Sequence, residues 1–172
     1  MAEEMAANHS HVKWVCPALP PSPKAASELI EEITQDWPPA QSAVIGSSLG
    51  GYYATWLMQK RDFRAVLLNP AVFPERDLTR YIGEHEAWHD PHQRIYFAPH
   101  FIQELKEMQT GPLHSPDRCM AILAKGDEVL DWQEMLARYP GPQTVLLPKG
   151  DHALSDFPSH LPLILQFLGL KN

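Results

Sequence analysis

Gln41-Ser-Ala-Val-Ile-Gly-Ser-Ser-Leu-Gly-Gly-Tyr-Tyr-Ala-Thr-Trp-Leu-Met-Gln-Lys60 holds a strand, a turn and a helix within twenty residues. It opens with the apolar run Ala43, Val44 and Ile45 and closes as a proline-free, helix-forming segment. Between them, Gly46-Ser47-Ser48-Leu49-Gly50 fits Gly-x-Ser-x-Gly with Ser48 at its centre. In a nucleophile elbow the serine tops a sharp strand-to-helix turn with its backbone strained toward positive φ. Strand and helix then pass so closely that the flanking positions must lack a Cβ. Gly46 and Gly50 are expected to meet that need, and Gly51 to ease the next turn. The helix N-terminus would aim free N–H groups and a positive dipole end at whatever Ser48 attacks.

On either side of this stretch, short apolar strands alternate with amphipathic segments. Ser22-Pro23 is a good N-cap followed by proline at the first helical position, for a helix to about Gln35 with Ala26, Leu29, Ile30 and Ile33 as its apolar stripe. His11 to Cys16, Arg64 to Asn69, Arg118 to Ala124 and Gln143 to Leu147 are strand candidates. Asp131 with Glu134 predicts a capping box for a helix to about Tyr139. A last helix from about Pro158 to Leu168 should stop at Gly169. Residues 2–9 look like a short helical fragment. Residues 71–116 show helix-like pieces near 75–82 and 99–108 and no convincing strand. Alternation of this kind with buried-type strands predicts an α/β class with a mostly parallel sheet.

With 172 residues, 44% apolar and 20% charged, the chain is expected to form one soluble domain. A net charge of −7 argues against nucleic acid or an anionic membrane as partner. The 17 prolines, about twice average usage, are scattered, with Pro17, Pro38, Pro70, Pro99, Pro112 and Pro148 at segment boundaries, and are expected to punctuate loops. Cys16 and Cys119 are expected to be free, buried thiols. No signal peptide or membrane span is apparent, so a cytoplasmic location is expected.

In open parallel sheets, ligands bind at the carboxyl ends of strands. Ser48, Asp127 and His152 each follow a different strand end, in the chain order of an α/β-hydrolase triad. His152 would serve as general base and then acid, Asp127 would orient its imidazole, and the Leu49 N–H would donate to the oxyanion. Asp131 is the substitute acid, whereas Asp151 is poorly placed because neighbouring side chains point apart.

Gly46-Ser-Ser-Leu-Gly-Gly-Tyr-Tyr-Ala-Thr55, Asn69-Pro-Ala-Val72, Gly126-Asp-Glu-Val-Leu-Asp131, Asp151-His152-Ala153 and Phe167-Leu-Gly-Leu170 together resemble the YqiA/YcfP-like branch of the α/β-hydrolases. The likeness runs from Val12 onward and includes the Leu19-Pro-Pro-Ser-Pro23 turn. It implies a small serine esterase or thioesterase acting on acyl esters, without metal or organic cofactor, with Ser48, Asp127 and His152 carried over by motif. The resembled proteins begin with a further strand ending in a His-Gly loop, which supplies a second oxyanion donor. Here no glycine precedes Gly46. That strand would lie mid-sheet, between 11–16 and 42–46. Leaving out five buried side chains at about 1.5–3 kcal/mol each would rival the ~5–15 kcal/mol stability of a domain. Met1 is therefore expected to be an internal methionine of a longer protein, and the domain N-terminally truncated.

Two other readings compete. His85-Glu86-Ala87-Trp88-His89 is a literal His-Glu-x-x-His, which on a helix would place two imidazoles on one face for zinc, with Glu104 or Glu107 as a remote third ligand. Gly83 and Pro91 leave barely two turns for that helix. A non-catalytic hydrolase-fold protein could instead bind a ligand through the same cleft. The insert at 71–116 is expected to form a small cap, with Phe73, Tyr81, Trp88, Tyr96, Phe97 and Phe101 as candidate lining for an acyl pocket.

Overall fold

A computed structural model describes residues 1–87, 90–141 and 143–170. Its centre is a parallel four-stranded sheet of β1 (Ala43–Ser47), β2 (Arg64–Leu68), β5 (Cys119–Ala124) and β6 (Thr144–Leu147), side by side in that order. The register pairs Ala43 with Arg64, Ala65 with Cys119 and Ala121 with Thr144. Around the sheet stand α1 (Ala2–Asn8), α2 (Pro23–Thr34), α3 (Leu49–Arg61), α4 (Pro74–Asp77), α5 (Phe101–Glu107), α6 (Trp132–Arg138) and α7 (Phe157–Leu168).

β2 and β5 read as unbroken apolar runs because helices cover both of their faces. Ala65, Leu67, Cys119, Ala121 and Leu123 point toward α3 and α6, where they meet Ala54, Met58 and Met135. The alternate residues Val66, Leu68, Met120, Ile122 and Ala124 point the other way, onto Ile164 of α7. Each large side chain so enclosed contributes about 1.5–3 kcal/mol. α3 is apolar almost all round because its other side packs on α2 and α5 through Tyr52, Tyr53, Ala26 and Leu105.

Local signals account for the helix ends. The Ser22 hydroxyl accepts from the Ala25 N–H at 3.1 Å, and Gly169 closes α7 at φ 77°. The capping box at α6 does not form. Asp131 caps alone, accepting from the Gln133 N–H at 2.8 Å, while Glu134 reaches across to the Arg76 guanidinium through two bonds of 2.8 and 2.7 Å. Those bonds hold the Glu134 carboxyl below the usual carboxylate range.

Three further expectations are corrected. Residues 11–16 are irregular and join no sheet, and β1 has no ladder partner on its outer side among the described residues. β-rich composition alone does not make a strand, because each strand needs a neighbour for its N–H and C=O groups. Cys16 is accordingly exposed, while Cys119 is buried, and both thiols are free. Inside the insert, β3 (Gly83–Ala87) and β4 (Asp90–Phe97) form an antiparallel pair where no strand was expected. None of the described helices is long and apolar enough to cross a membrane.

Candidate active site

β1 runs straight into Ser48, whose φ of 53° and ψ of −122° lie in a region that L-residues rarely adopt. Main-chain bonds hold it there. The Ser48 N–H donates to the Leu68 carbonyl at 3.0 Å, and the Ser48 carbonyl accepts from Gly51, Tyr52 and Ala71 at 2.9, 3.4 and 3.0 Å. A Cβ on Gly46 would fall 2.1 Å from the Gly50 carbonyl oxygen, so this glycine is required by contact. At Gly50 the expectation fails, because a Cβ there would meet open space. The second tight position is Gly51, where a Cβ would lie 2.6 Å from that of Pro70. Leu49 opens α3, so its N–H has no acceptor within the helix and is available for an oxyanion.

Asp127 follows β5 through Lys125-Gly126, and its side chain is fully buried. One carboxylate oxygen accepts from the Val129 and Leu130 N–H groups, each at 2.8 Å. The other lies 2.8 Å from His152 Nδ1. His152 Nε2 in turn stands 2.9 Å from Ser48 Oγ. An ionised carboxylate can only accept, so Nδ1 carries the proton and Nε2 presents its lone pair to the hydroxyl. Asp131 is occupied at the N-cap of α6, and Asp151 is turned to Ser155, accepting from its N–H at 2.9 Å and its hydroxyl at 2.6 Å. Of the three acids, Asp127 is the one beside the imidazole.

Two residues that the sequence reading passed over complete the surroundings. Asn69 is fully buried at φ 40°. Its Nδ2 donates to the Asp151 and His152 carbonyls at 3.0 and 3.1 Å, and its Oδ1 accepts from the Ala124 N–H at 2.8 Å. Glu128 Oε2 accepts from the His152 N–H at 3.0 Å. An asparagine between a buried strand and a proline was the available signal for the first. The second had none.

Elsewhere, His85, Glu86 and Ala87 stand in strand β3, where successive side chains alternate sides, so the helical geometry that zinc would need is not formed there. His85 Nε2 lies 2.7 Å from the Tyr81 carbonyl oxygen. Trp88 and His89 lie outside the described residues. Glu104 caps α2 from outside, accepting from the Ser22 hydroxyl at 2.7 Å and the Lys24 N–H at 2.9 Å. A cleft of about 500 Å³ runs along α3 and α6, lined by Tyr52, Thr55, Val72, Phe73, Leu113 and Tyr139 among others, and includes none of Ser48, Asp127 and His152. Of the six aromatics proposed for an acyl pocket, Phe73 lines this cleft, Tyr81 and Tyr96 are exposed, and Phe101 is buried against Phe97.

A parallel sheet with the elbow at one strand end and the imidazole loop at another defines an α/β-hydrolase fold. Solved structures agree. Mouse alpha/beta hydrolase domain-containing protein 10 superposes with a TM-score of 0.56 at 20% identity, over 87% of this chain and 69% of that one. Est1E of Butyrivibrio proteoclasticus, solved with ferulic acid bound, gives 0.54 at 17% identity, over 86% and 66%. The chain belongs to the uncharacterised protein family UPF0227, whose family model matches residues 1–169. A UPF0227 protein of Yersinia enterocolitica is 26% identical over 139 residues, covering 80% of this chain and 71% of its relative. The resemblance to the YqiA-like branch is borne out.

Proposed function

We propose that this chain is a serine hydrolase that cleaves acyl esters or thioesters through Ser48, His152 and Asp127. The observation that carries the reading is the continuous hydrogen-bond chain from the Ser48 hydroxyl to His152 at 2.9 Å and on to Asp127 at 2.8 Å. Residues 104 positions apart meet there at hydrogen-bond distance. Ser48 Oγ attacks the acyl carbonyl while Nε2 takes its proton, and the Leu49 N–H donates to the oxyanion. Asp127 stabilises the imidazolium formed. The imidazolium returns the proton to the departing alcohol or thiol, leaving an acyl-Ser48 ester. Water, deprotonated by the same nitrogen, then releases the acid.

Beside the three side chains, the Leu49 N–H, a water molecule and a small-molecule substrate take part. The described part of the insert at 71–116 acts in this reading as a small cap, and its α5 packs on α3, where the Tyr52 hydroxyl donates to the Leu105 carbonyl at 2.7 Å. The test is labelling with a fluorophosphonate, followed by intact mass. Wild-type protein should gain one adduct and Ser48→Ala none. A folded wild type that stays unlabelled, and is equally inert toward p-nitrophenyl acyl esters, would overturn the reading.

A further inference from the structure

We infer that Glu128 and Asn69 are positioning residues that grip the main chain of His152 from its two sides and so set the aim of its imidazole. The inference rests on the hydrolase reading above. The residue that must point at Ser48 sits in a loop, Pro148 to Leu154, where no strand or helix fixes its peptide groups. Its N–H is held by Glu128 Oε2 at 3.0 Å and its carbonyl by Asn69 Nδ2 at 3.1 Å. Asn69 spends its remaining bonds on the Asp151 carbonyl and the Ala124 N–H, which ties the loop to the end of β5.

Glu128 directly follows Asp127 in the chain. Consecutive residues of one turn therefore hold His152 at two points, Asp127 by the ring and Glu128 by the backbone. A ring held only through Nδ1 can still swing about that bond, whereas a fixed peptide plane sets where its Cβ stands. Nε2 is then confined to the approach to Ser48 Oγ. Proton transfer depends steeply on such aim, since misplacement by about 1 Å can cost about a hundredfold in rate. Neither residue touches the hydroxyl, so each acts through His152.

Glu128 is exposed, so its variants should fold. We would compare Glu128→Ala and Glu128→Gln for the rate of fluorophosphonate labelling, for Tm, and for the downfield proton resonance of His152 Nδ1–H. E128A should label about ten- to a hundredfold more slowly, with Tm little changed and the resonance broadened. E128Q keeps an oxygen acceptor for the His152 N–H and should recover most of the rate and the sharp resonance. Equal rates and resonances in E128A and wild type would overturn the inference. So would an E128Q as slow as E128A, because charge and not grip would then be at work. If wild type itself does not label, the hydrolase reading fails, while the resonance in E128A still decides whether Glu128 steadies the ring.

Discussion

Gly126 and Gly150 meet backbone to backbone: a Cβ on Gly126 would lie 2.2 Å from the Gly150 carbonyl oxygen. The loop that carries Asp127 and the loop that carries His152 thus touch one residue before and two residues before the side chains that pair. Gly126→Ala should push them apart, since backbone cannot yield as a flexible side chain can. Expected are a loss of about 1–3 kcal/mol, the usual cost of overpacking, and slower fluorophosphonate labelling, read by urea unfolding and intact mass. Unchanged stability would mean that the loops are not in contact.

The strain at Ser48 makes a second prediction. A non-glycine residue at such φ and ψ costs about 1–3 kcal/mol. Ser48→Gly should therefore raise stability by about 1 kcal/mol or more while abolishing labelling. Ser48→Ala, which keeps a Cβ, should lose labelling without that gain. Chemical denaturation of the three proteins separates relief of strain from loss of the hydroxyl.

Asp127 and Asp131 should part company under mutation. Asp127→Asn removes the acceptor that fixes the Nδ1–H tautomer and should slow ester turnover by about 10⁴-fold. Asp131→Ala removes an N-cap worth about 1 kcal/mol and should leave the rate per folded molecule unaltered. Steady-state kinetics with a p-nitrophenyl ester, beside thermal melts, tells the two apart.

The elbow and the order Ser48, Asp127, His152 were legible because they sit where apolar strands end, and local chemistry marks those ends. β1, β2, β5 and β6 were legible for the same reason. The strand pair at Gly83–Ala87 and Asp90–Phe97 escaped notice because Gly-Glu-His-Glu-Ala and Asp-Pro-His-Gln-Arg carry no alternation of apolar and polar residues. Its pairing is set by main-chain bonds, which composition does not display. His11 to Cys16 erred in the opposite direction, since the β-branched Val12 and Val15 express a local preference that only a partner strand could satisfy. Glu128 was illegible because its ligand is a backbone N–H 24 positions away.

Alkaline pH supplies a fourth prediction. Burial pushes the Cys119 thiol up to about 12 and raises the Tyr52 and Tyr53 hydroxyls in the same direction. A pKa raised in the folded state gives stability that is complete below the unfolded pKa and is lost as pH climbs through the folded one. The urea midpoint should hold below pH ~8.5 and decline toward about 12. Cys119→Ala should flatten the early part of that decline. Iodoacetamide should modify exposed Cys16 in the native protein and reach Cys119 only after unfolding.

The carbonyl of Ser48 gathers three N–H groups and its N–H reaches β2, while its side chain contributes only the hydroxyl facing His152. Architecture and reactivity are thus separable at that residue. An alanine form would keep the turn while sparing whatever ester settles beside it. On the proposed reaction such a protein is a trap: incubated with a mixed acyl pool and then examined by mass spectrometry, it would retain its substrate uncut and so disclose which one it is.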